Sequence, residues 1–197
     1  DHDIKLDDIT VTGGMSKKRT HRPASMAPIG GFLVNSLLGV VAKEDIPVFN
    51  RTKVIKLLQD ADGRVNGVEV KSGDLTKQVS AKAVILATGG FGASKEYIER
   101  FRPDLKDYKT TNQPGATGDG LKLAESVGAE LMQMNLVQVH PTVQQDNPHV
   151  YLIGEAVRGE GAILVNADGQ RFVNELNTRK IVSNAITALP EHSAYLI

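Results

Sequence analysis

Apolar side chains recur at helical spacing in several parts of the chain. Within residues 31–43 they return every three or four positions, which predicts an amphipathic helix. Ser94 precedes KEYIERF as a capping residue, and Pro103 favours the end of that short helix. The pattern LKLAESVGAEL predicts a third helix that stops at Gly128. A fourth helix is predicted over residues 178–189.

Strand signals fill much of the remaining chain. Residues 46–90 contain short β-branched runs separated by Asp-Gly, Asn-Gly and Ser-Gly pairs, which predicts a β-meander. The last run, residues 83–87, is apolar at every position, as in a strand covered on both faces. The stretch GAILVNADGQRFVNE predicts a hairpin around an Ala-Asp-Gly turn. Residues 1–28 are polar, and we expect little regular structure there.

Composition excludes several classes of function. Lys plus Arg equals Asp plus Glu, at 23 each, so charge balance does not favour nucleic acid or an anionic membrane as a partner. The chain has no cysteine, which rules out disulfides, thiolate metal ligands and thiol catalysis, and we assign no metal ligands. No apolar run approaches the roughly 20 residues that span a bilayer. No targeting segment is evident within the chain, and we expect a cytoplasmic protein.

Glycines follow the predicted buried strand and recur in a second loop. The strand ends in Thr88, Gly89 and Gly90, where backbone can approach a ligand; an equally supported alternative is that the glycines only turn the chain. The loop NQPGATGDG can present backbone N–H groups and the side chains of Thr117 and Asp119 to a flat polar ligand. Its simpler interpretation, slightly favoured for the loop by itself, is a helix start capped by Asp119. No G-x-G-x-x-G motif is present, so the first phosphate-binding βαβ unit of a dinucleotide fold is missing from this chain.

Charged residues in the last third of the chain supply the other candidates. His140 precedes a proline, and a lone histidine is more often a surface or hydrogen-bonded core residue than a ligand contact. Glu155 and Arg158 share a face if their segment is helical, and such a pair usually contributes only about 0.2–0.5 kcal/mol. Arg179 falls in the first turn of the last predicted helix, where the helix dipole disfavours a cation. Another contact must therefore favour its placement.

Taken together, these motifs resemble those of the fumarate reductase flavoprotein family. The resemblance runs from THRP through AVILATGGFG, TTNQPGATGDG and HPT to GEAVRGEGAILVNADGQRFVNELNTR, which is nearly the whole chain. It points to the soluble, single-chain members with a non-covalent FAD, including the flavin domain of flavocytochrome c fumarate reductases. Each short piece is common, but their order and spacing make the match specific.

The resemblance implies FAD as cofactor and a role for each matching residue. Seven positions match residues that contact FAD: Val54 at the adenine, Ala87, Thr88 and Gly89 near the ribose and pyrophosphate, and Thr117, Gly118 and Asp119 beside the isoalloxazine. His140 matches a histidine that holds a substrate carboxylate, and Gly154 and Glu155 also match substrate-contacting positions. Arg179 matches the arginine that protonates the substrate, and Glu155 and Arg158 match the relay that returns a proton to it.

The chemistry of that reaction is consistent with these residue types. Reducing an alkene flanked by carboxylates requires a hydride at one carbon and a proton at the other, and cations on the carboxylates withdraw electron density from the double bond. The planar fork of arginine binds a carboxylate with two hydrogen bonds. An unperturbed guanidinium has a pKa of about 12.5 or more, so it acts as an acid only where a relay restores its proton.

The implied fold class is α/β with α+β, divided between two incomplete domains. Residues 1–135 would form a partial FAD-binding domain of the glutathione-reductase-like type with a β-meander, lacking the N-terminal dinucleotide-binding βαβ unit. Residues 136–197 would form part of the α+β capping domain. The chain starts with DHDIKLDD and ends with SAYLI, and we expect an internal section of a larger protein. By itself this section is expected to bind FAD poorly and to be inactive.

Two departures from the family leave the substrate open. Gly154 stands where the family's fumarate reductases commonly carry a threonine that contacts a substrate carboxylate, and the segment VQQDNPHVYLI is slightly longer than expected. The leading hypothesis is a small dicarboxylate partner, fumarate, reduced to succinate. The alternatives are another unsaturated acid such as urocanate, an enone of a ring ketone, or a non-catalytic flavin-binding module. The sequence does not identify the electron donor.

Overall fold

The polar N-terminal region contains regular structure that its sequence does not predict. The computed structural model describes residues 2–12, 14–25, 27–144, 146 and 150–197. Strands β1 (Asp8–Thr10) and β2 (Thr20–Arg22) pair antiparallel, so the expectation of little regular structure is wrong for these residues. The two polar segments satisfy each other's backbone groups, which requires no apolar pattern. The first predicted helix is confirmed as α1 (Ile29–Lys43); all of its residues are described, and none is buried.

The β-branched runs form the predicted meander. Strands β3 (Lys53–Gln59), β4 (Val65–Ser72) and β5 (Leu75–Ser80) make one antiparallel sheet in that order. Turns with glycine at positive φ connect them, at Gly63 (80°) and Gly73 (59°). The asparagine-glycine pair lies inside β4 instead of in a turn. The sheet thus follows the pattern of strands and turn formers closely.

The apolar run after the meander is not a strand among the described residues. Residues 83–87 have no β-ladder partner, and Ile85 is 90% exposed. The prediction of a strand covered on both faces is therefore wrong for this structure. A buried strand needs neighbours that pair with its backbone and cover its side chains, and the described part of the chain supplies neither.

The next two predicted helices are confirmed. Helix α2 (Lys95–Phe101) has Ser94 as its N-cap, whose Oγ accepts from the N–H of Tyr97 at 3.3 Å, and a single 3₁₀ turn (Pro103–Leu105) follows it. Helix α3 (Asp119–Glu125) is followed by a turn that ends at Gly128, with φ of 86°. The helix stop that the sequence predicts at Gly128 is thus confirmed.

The last third combines short strands with two helices. Strands β6 (Val143–Gln144) and β7 (Tyr151–Leu152) pair, helix α4 is Glu155–Gly159, and strand β8 is Leu164–Val165. The predicted last helix is confirmed as α5 (Arg179–Thr187), and strand β9 (Tyr195–Leu196) pairs with β8. The predicted hairpin is only partly correct, because its turn forms but its second strand is reduced to one bridge, between Val165 and Arg171. Phe172 and Val173 pack against the core instead of extending the ladder.

The chain divides into two compact units. The split unit consists of residues 1–47 and 138–197, and the meander unit consists of residues 48–137. In the split unit the core is Leu164, Val182 and Ile186, with apolar side chains from β9 and the turn around them. The predicted FAD-binding domain (1–135) and capping domain (136–197) are named by function, which the division into compact units does not test, so they stay predictions.

The architecture is a mixed α/β arrangement with small antiparallel sheets. This agrees with the mixed fold class expected from the sequence. Across the described residues, no helix has the length and apolar character that a membrane crossing requires.

Candidate active site

Helix α4 places Glu155 and Arg158 on one side of a single helical turn. Gly154 is its N-cap, in extended backbone with φ of −65° and ψ of 159°. Residues three positions apart leave a helix in similar directions. The expected pairing is confirmed, since Arg158 Nη2 lies 3.9 Å from Glu155 Oε1.

The Glu155 carboxylate is where the predicted catalytic side chains meet. Its Oε1 accepts a short hydrogen bond from Arg179 Nε and lies 3.0 Å from His140 Nε2. The structure therefore brings together His140, Glu155, Arg158 and Arg179, all of which belong to the split unit. Gly154 lies beside them as a backbone position without a side chain. Their roles in catalysis remain predictions.

The cluster carries an excess of positive charge. Burial alone would raise the pKa of the Glu155 carboxyl, but the hydrogen bond from Arg179, the hydrogen bond from the backbone N–H of Glu155 and the charge of Arg179, with a smaller effect of His140, lower it to about 2. Glu155 is therefore a carboxylate at neutral pH. One carboxylate faces two guanidiniums, so the cluster attracts an anion.

Arg158 is buried almost completely, with 2% of its surface exposed. Its Nη1 donates to the backbone oxygen of Glu175 at 2.7 Å. Within the described part of the chain, its Nε and Nη2 have no hydrogen-bond partner. Burial lowers the pKa of Arg158, while the charges of Glu155 and Glu175 act in the opposite direction. A guanidinium in this environment releases a proton more readily than one in water.

Both ring nitrogens of His140 have partners. Nδ1 lies 3.2 Å from the backbone nitrogen of Thr142 and 3.0 Å from its oxygen, while Nε2 faces Glu155. A carboxylate only accepts hydrogen bonds, so Nε2 carries the hydrogen, and in the neutral ring Nδ1 accepts from the Thr142 N–H. Burial lowers the pKa of His140 against the opposing charge of Glu155, which favours this neutral form.

Arg179 is the first residue of α5, directly after the N-cap Thr178. Its Nη1 donates to Gln138 Oε1 at 2.6 Å, and its Nε donates to Glu155. These two acceptors explain a cation at the end of a helix where the dipole disfavours one. The Arg179 side chain is 40% exposed, so a molecule in solution can reach the guanidinium.

Three residues of this site lie outside the sequence-based prediction. They are the acceptor of Arg179, the backbone partner of His140 and the anchor of Arg158: Gln138, Thr142 and Glu175. Gln138 and Thr142 each lie two positions from His140, so they could have been considered as neighbours of the predicted histidine. Glu175 contacts Arg158 through its backbone oxygen, and a backbone contact leaves no pattern of residue types in the sequence.

The residues predicted to contact FAD lie in the meander unit, several of them around the start of α3. Thr117 Oγ1 donates to Asp119 Oδ1 at 3.0 Å, and Lys53 Nζ lies 2.9 Å from Asp119 Oδ2. The hydrogen bonds from Lys53 and Thr117 lower the pKa of Asp119. The N-cap of α3 is Gly118, so the alternative in which Asp119 caps the helix is wrong by one position.

Gly118 occupies a position that a larger residue would disturb. Its φ is 76°, and a Cβ there would lie 2.8 Å from the Tyr97 ring and 3.1 Å from the Cβ of Phe91. Its N–H donates to the oxygen of Gly90 at 3.2 Å. This bond joins the two glycine-rich stretches that the sequence singles out.

The backbone around residues 87–90 is open on one side. Gly89 has φ of 74°, and no atom lies within 4 Å of the position that a Cβ on Gly89 or Gly90 would take. Thr88 packs against Gly120, and Ala87 is exposed. Val54 lies in β3 opposite Val70, next to the lysine that reaches Asp119.

The loop before α3 uses most of its backbone N–H groups internally. Four successive N–H groups have acceptors within the meander unit: Gly115 to Gln113 Oε1 (2.7 Å), Ala116 to Gln113 O (3.0 Å), Thr117 to Gly115 O (2.8 Å) and Gly118 to Gly90 O (3.2 Å). The prediction that this loop presents its N–H groups to a ligand is wrong for these four positions. A tight turn satisfies its own donors, which the count of glycines does not reveal.

Comparisons with known proteins agree with the sequence resemblance. A family model described as an FAD binding domain matches residues 5–195. The chain is 46% identical over 198 residues to NADH:fumarate oxidoreductase of Klebsiella pneumoniae (strain 342), covering 100% of this chain and 21% of that protein. It is 35% identical over 158 residues to urocanate reductase of Eggerthella lenta, covering 78% of this chain and 26% of that protein.

A solved structure is also similar over nearly the whole chain. The open conformation of a flavocytochrome c3 fumarate reductase superposes with a TM-score of 0.80 at 38% identity, covering 99% of this chain and 34% of that one. The chain spans about a fifth to a third of the length of these relatives. The resemblance to fumarate reductase flavoproteins is thus confirmed, and the chain belongs to the FAD binding domain family, with FAD as its cofactor.

Proposed function

We propose that the complete protein is an FAD-dependent oxidoreductase that reduces the C=C bond of an α,β-unsaturated dicarboxylate, fumarate to succinate. The observation that carries this proposal is the carboxylate of Glu155 in contact with His140, Arg158 and Arg179 at once. A carboxylate flanked by two guanidiniums and an imidazole is suited to binding an anion and to moving protons. An ordinary surface ion pair has one guanidinium, and it is exposed. Here two guanidiniums contact the same carboxylate, and that of Arg158 is buried.

The exposed part of the cluster binds the substrate. The excess positive charge attracts a dicarboxylate, and cations at its carboxylates withdraw electron density from the double bond. His140 Nε2–H, which faces Glu155 at 3.0 Å, becomes a donor to a substrate carboxylate when the substrate replaces Glu155 as its acceptor.

Domain assignments follow the resemblance: residues 1–135 belong to the FAD-binding domain of glutathione-reductase-like type, and residues 136–197 to the capping domain.

Arg179 donates the proton to the substrate carbon that does not receive the hydride. Because the pKa of Glu155 is about 2, its carboxylate does not store a proton but passes one from Arg158 to the Arg179 guanidine after that group has given a proton to the substrate. Arg158, whose pKa burial lowers, is the donor to Glu155. The 3.9 Å between Arg158 Nη2 and Glu155 Oε1 exceeds a hydrogen bond, so the transfer from Arg158 to Glu155 requires an approach of about 1 Å.

The residues of the meander unit fit part of an FAD site. The open backbone at Gly89 and Gly90 allows a ligand to approach closely. The hydrogen bond from the Gly118 N–H to the oxygen of Gly90 joins this stretch to Thr117, Gly118 and Asp119. Ala87 and Thr88 directly precede Gly89 in the chain, and Val54 lies in β3 next to Lys53, which pairs with Asp119. FAD, when bound, supplies the hydride for the reduction.

Replacement of Arg179 in the complete, FAD-loaded protein tests the proposal. Arg179→Ala and Arg179→Lys should each lower kcat for fumarate reduction with a reduced viologen donor by about 10²–10⁴-fold, because alanine removes the proton donor and lysine lacks the planar fork that contacts both Glu155 and Gln138. The control is Lys180→Ala, which removes an exposed cation at the next position of the same helix and should leave kcat unchanged. Unchanged fumarate reduction by both Arg179 variants rejects the assignment.

A second candidate function is reduction of another unsaturated acid, such as urocanate. Gly154 favours it, because no side chain at that position is available for a second substrate carboxylate, and no atom lies within 4 Å of where a Cβ would be. A substrate panel with fumarate, urocanate and other acrylates separates the two candidates. Bound FAD without reduction of any of these acids would instead favour a flavin-binding module.

A further inference from the structure

Glu175 is a buried carboxylate that the proposed reaction does not use. Only 2% of its surface is exposed, and it is not among the groups that contact Glu155. A buried carboxylate is costly unless it is paired and hydrogen-bonded. The burial of Glu175 next to Arg158 therefore points to a specific role for this carboxylate.

The carboxylate of Glu175 is fixed from two sides. Its Oε1 accepts from the backbone N–H of Leu164, in strand β8, at 2.8 Å. Arg171 donates to it with Nε at 3.0 and 3.1 Å and with Nη2 at 2.6 Å, a two-pronged contact. Burial would raise the pKa of Glu175, but Arg171 and the Leu164 N–H lower it, so the group is charged. These bonds hold residue 175 against the core of the split unit.

The backbone oxygen of the same residue holds Arg158. Arg158 Nη1 donates to Glu175 O at 2.7 Å, whereas Nε and Nη2 have no hydrogen-bond partner in the described part of the chain. That single bond, together with packing, thus sets the orientation of a guanidinium that points Nη2 at Glu155 from 3.9 Å. A displacement of the Glu175 backbone would move Nη2 by a comparable amount.

We propose that Glu175 is a positioning residue for Arg158: its side chain ties the backbone carbonyl to β8 and Arg171, and that carbonyl sets the distance between Arg158 and Glu155. This inference rests on the proposed function, in which Arg158 supplies the proton that Glu155 passes on. Glu175 forms no hydrogen bond or ion pair with Glu155 or Arg179, so its effect on the relay passes through Arg158. Its charge also supports the cationic form of Arg158, since burial by itself lowers the pKa of that guanidinium.

The test measures steady-state fumarate reduction by the complete, FAD-loaded protein with a reduced viologen donor. Glu175→Gln keeps the size of the side chain and an acceptor for the Leu164 N–H, but it loses the charge that Arg171 contacts. We expect kcat to fall about tenfold or more, because small misplacements of a reacting group are costly, with KM changed less than about twofold. Val182→Ala is the control, since it damages the core of the same unit without touching the relay and should leave kcat unchanged.

A double-mutant cycle separates positioning from a merely structural role. Arg158→Lys should lower kcat by itself, and adding Glu175→Gln to it should lower kcat no further, because both changes act on the same step. Multiplication of the two effects, or full kcat in Glu175→Gln, overturns the inference while leaving the relay intact. Full kcat in Arg158→Lys overturns the relay, and this inference with it.

Arg171→Gln covers the case in which Glu175→Gln does not fold. Arg171 is 56% exposed, so its loss is tolerated more easily, yet it removes the outer anchor of the Glu175 carboxylate. We expect a decrease in kcat of about two- to fivefold without a change in KM, absent in the Arg158→Lys background. An unchanged kcat in Arg171→Gln contradicts the proposal.

Discussion

Charged side chains are used differently in the two units of the chain. In the split unit, Glu155, Arg158 and Glu175 have 17%, 1% and 2% of their side-chain surface exposed. In the meander unit, Lys53 and Asp119 form an ion pair at 2.9 Å, with 69% and 46% of their side-chain surface exposed. Water screens the contact between Lys53 and Asp119 much more than the charges of the three buried residues, so a contact between opposite charges has a different energetic weight in the two units.

In the meander unit, the loop before α3 is held by its backbone conformation instead of by buried charge. Gly118 has positive φ and packs against Tyr97, while the N–H groups before it close the loop on itself. The proposed proton-transfer site is thus built from buried charge, whereas the proposed cofactor surface is built from backbone shape. Variants that remove charge should therefore matter most in the split unit, and variants that add a Cβ should matter most in the meander unit.

The largest effect is expected at the centre of the charge cluster. Glu155→Gln should lower kcat of the complete protein by about 10²–10⁴-fold, because a neutral amide neither accepts nor passes on a proton. Glu160→Gln, at the exposed end of the same helix, is the matched control and should retain kcat. Steady-state reduction of fumarate measures both, and equal rates would remove Glu155 from the relay.

The same carboxylate should make stability depend on pH. Its pKa is lowered in the folded state from 4.5 to about 2, which corresponds to a stabilisation on the order of 3 kcal/mol. This contribution is fully present above pH 4.5 and is lost as pH falls through about 2. Urea unfolding should show Glu155→Gln less stable than the parent at pH 7, with the difference shrinking from pH 4.5 downward.

The control for this pH dependence comes from the meander unit. Asp119→Asn also removes a carboxylate with a lowered pKa, but its charge is nearly half exposed. We expect a loss of less than about 1 kcal/mol at pH 7. A loss as large as that of Glu155→Gln would contradict the contrast between the units.

A glycine substitution tests the backbone side of the comparison. Gly118→Ala should lower the free energy of unfolding by about 2–3 kcal/mol, because it adds a collision with the Tyr97 ring to the strain of positive φ. Gly128→Ala, with φ of 86° and no atom within 4 Å of the new Cβ, should cost only about 1 kcal/mol. Urea unfolding compares the two, and equal losses would show that packing at Gly118 is unimportant.

The smallest effect is expected for the exposed ion pair. Lys53→Ala should change the free energy of unfolding by less than about 1 kcal/mol, because water and salt already screen its contact with Asp119. A loss comparable to that of Gly118→Ala would show that charge, and not backbone shape, holds this loop.

Local elements could be predicted where short-range signals specify them. The meander, the cap at Ser94 and the last helix follow from turn formers, a hydroxyl acceptor and helical spacing, all of which act within a few residues. The strand predicted at residues 83–87 fails for the opposite reason. The apolar pattern is typical of a strand whose two faces are covered. The covering elements must come from other parts of a protein, and the described residues do not provide them.

The sequence by itself determined the types of element, the two glycine-rich stretches and the identity of the charged residues, because propensity and motif order are local properties. Only the tertiary structure decided that Glu155 joins His140 and Arg179, that Arg158 is buried, and that a backbone oxygen of Glu175 holds it. Burial and the pairing of groups distant in sequence decide which charges interact strongly, and neither is written in residue spacing.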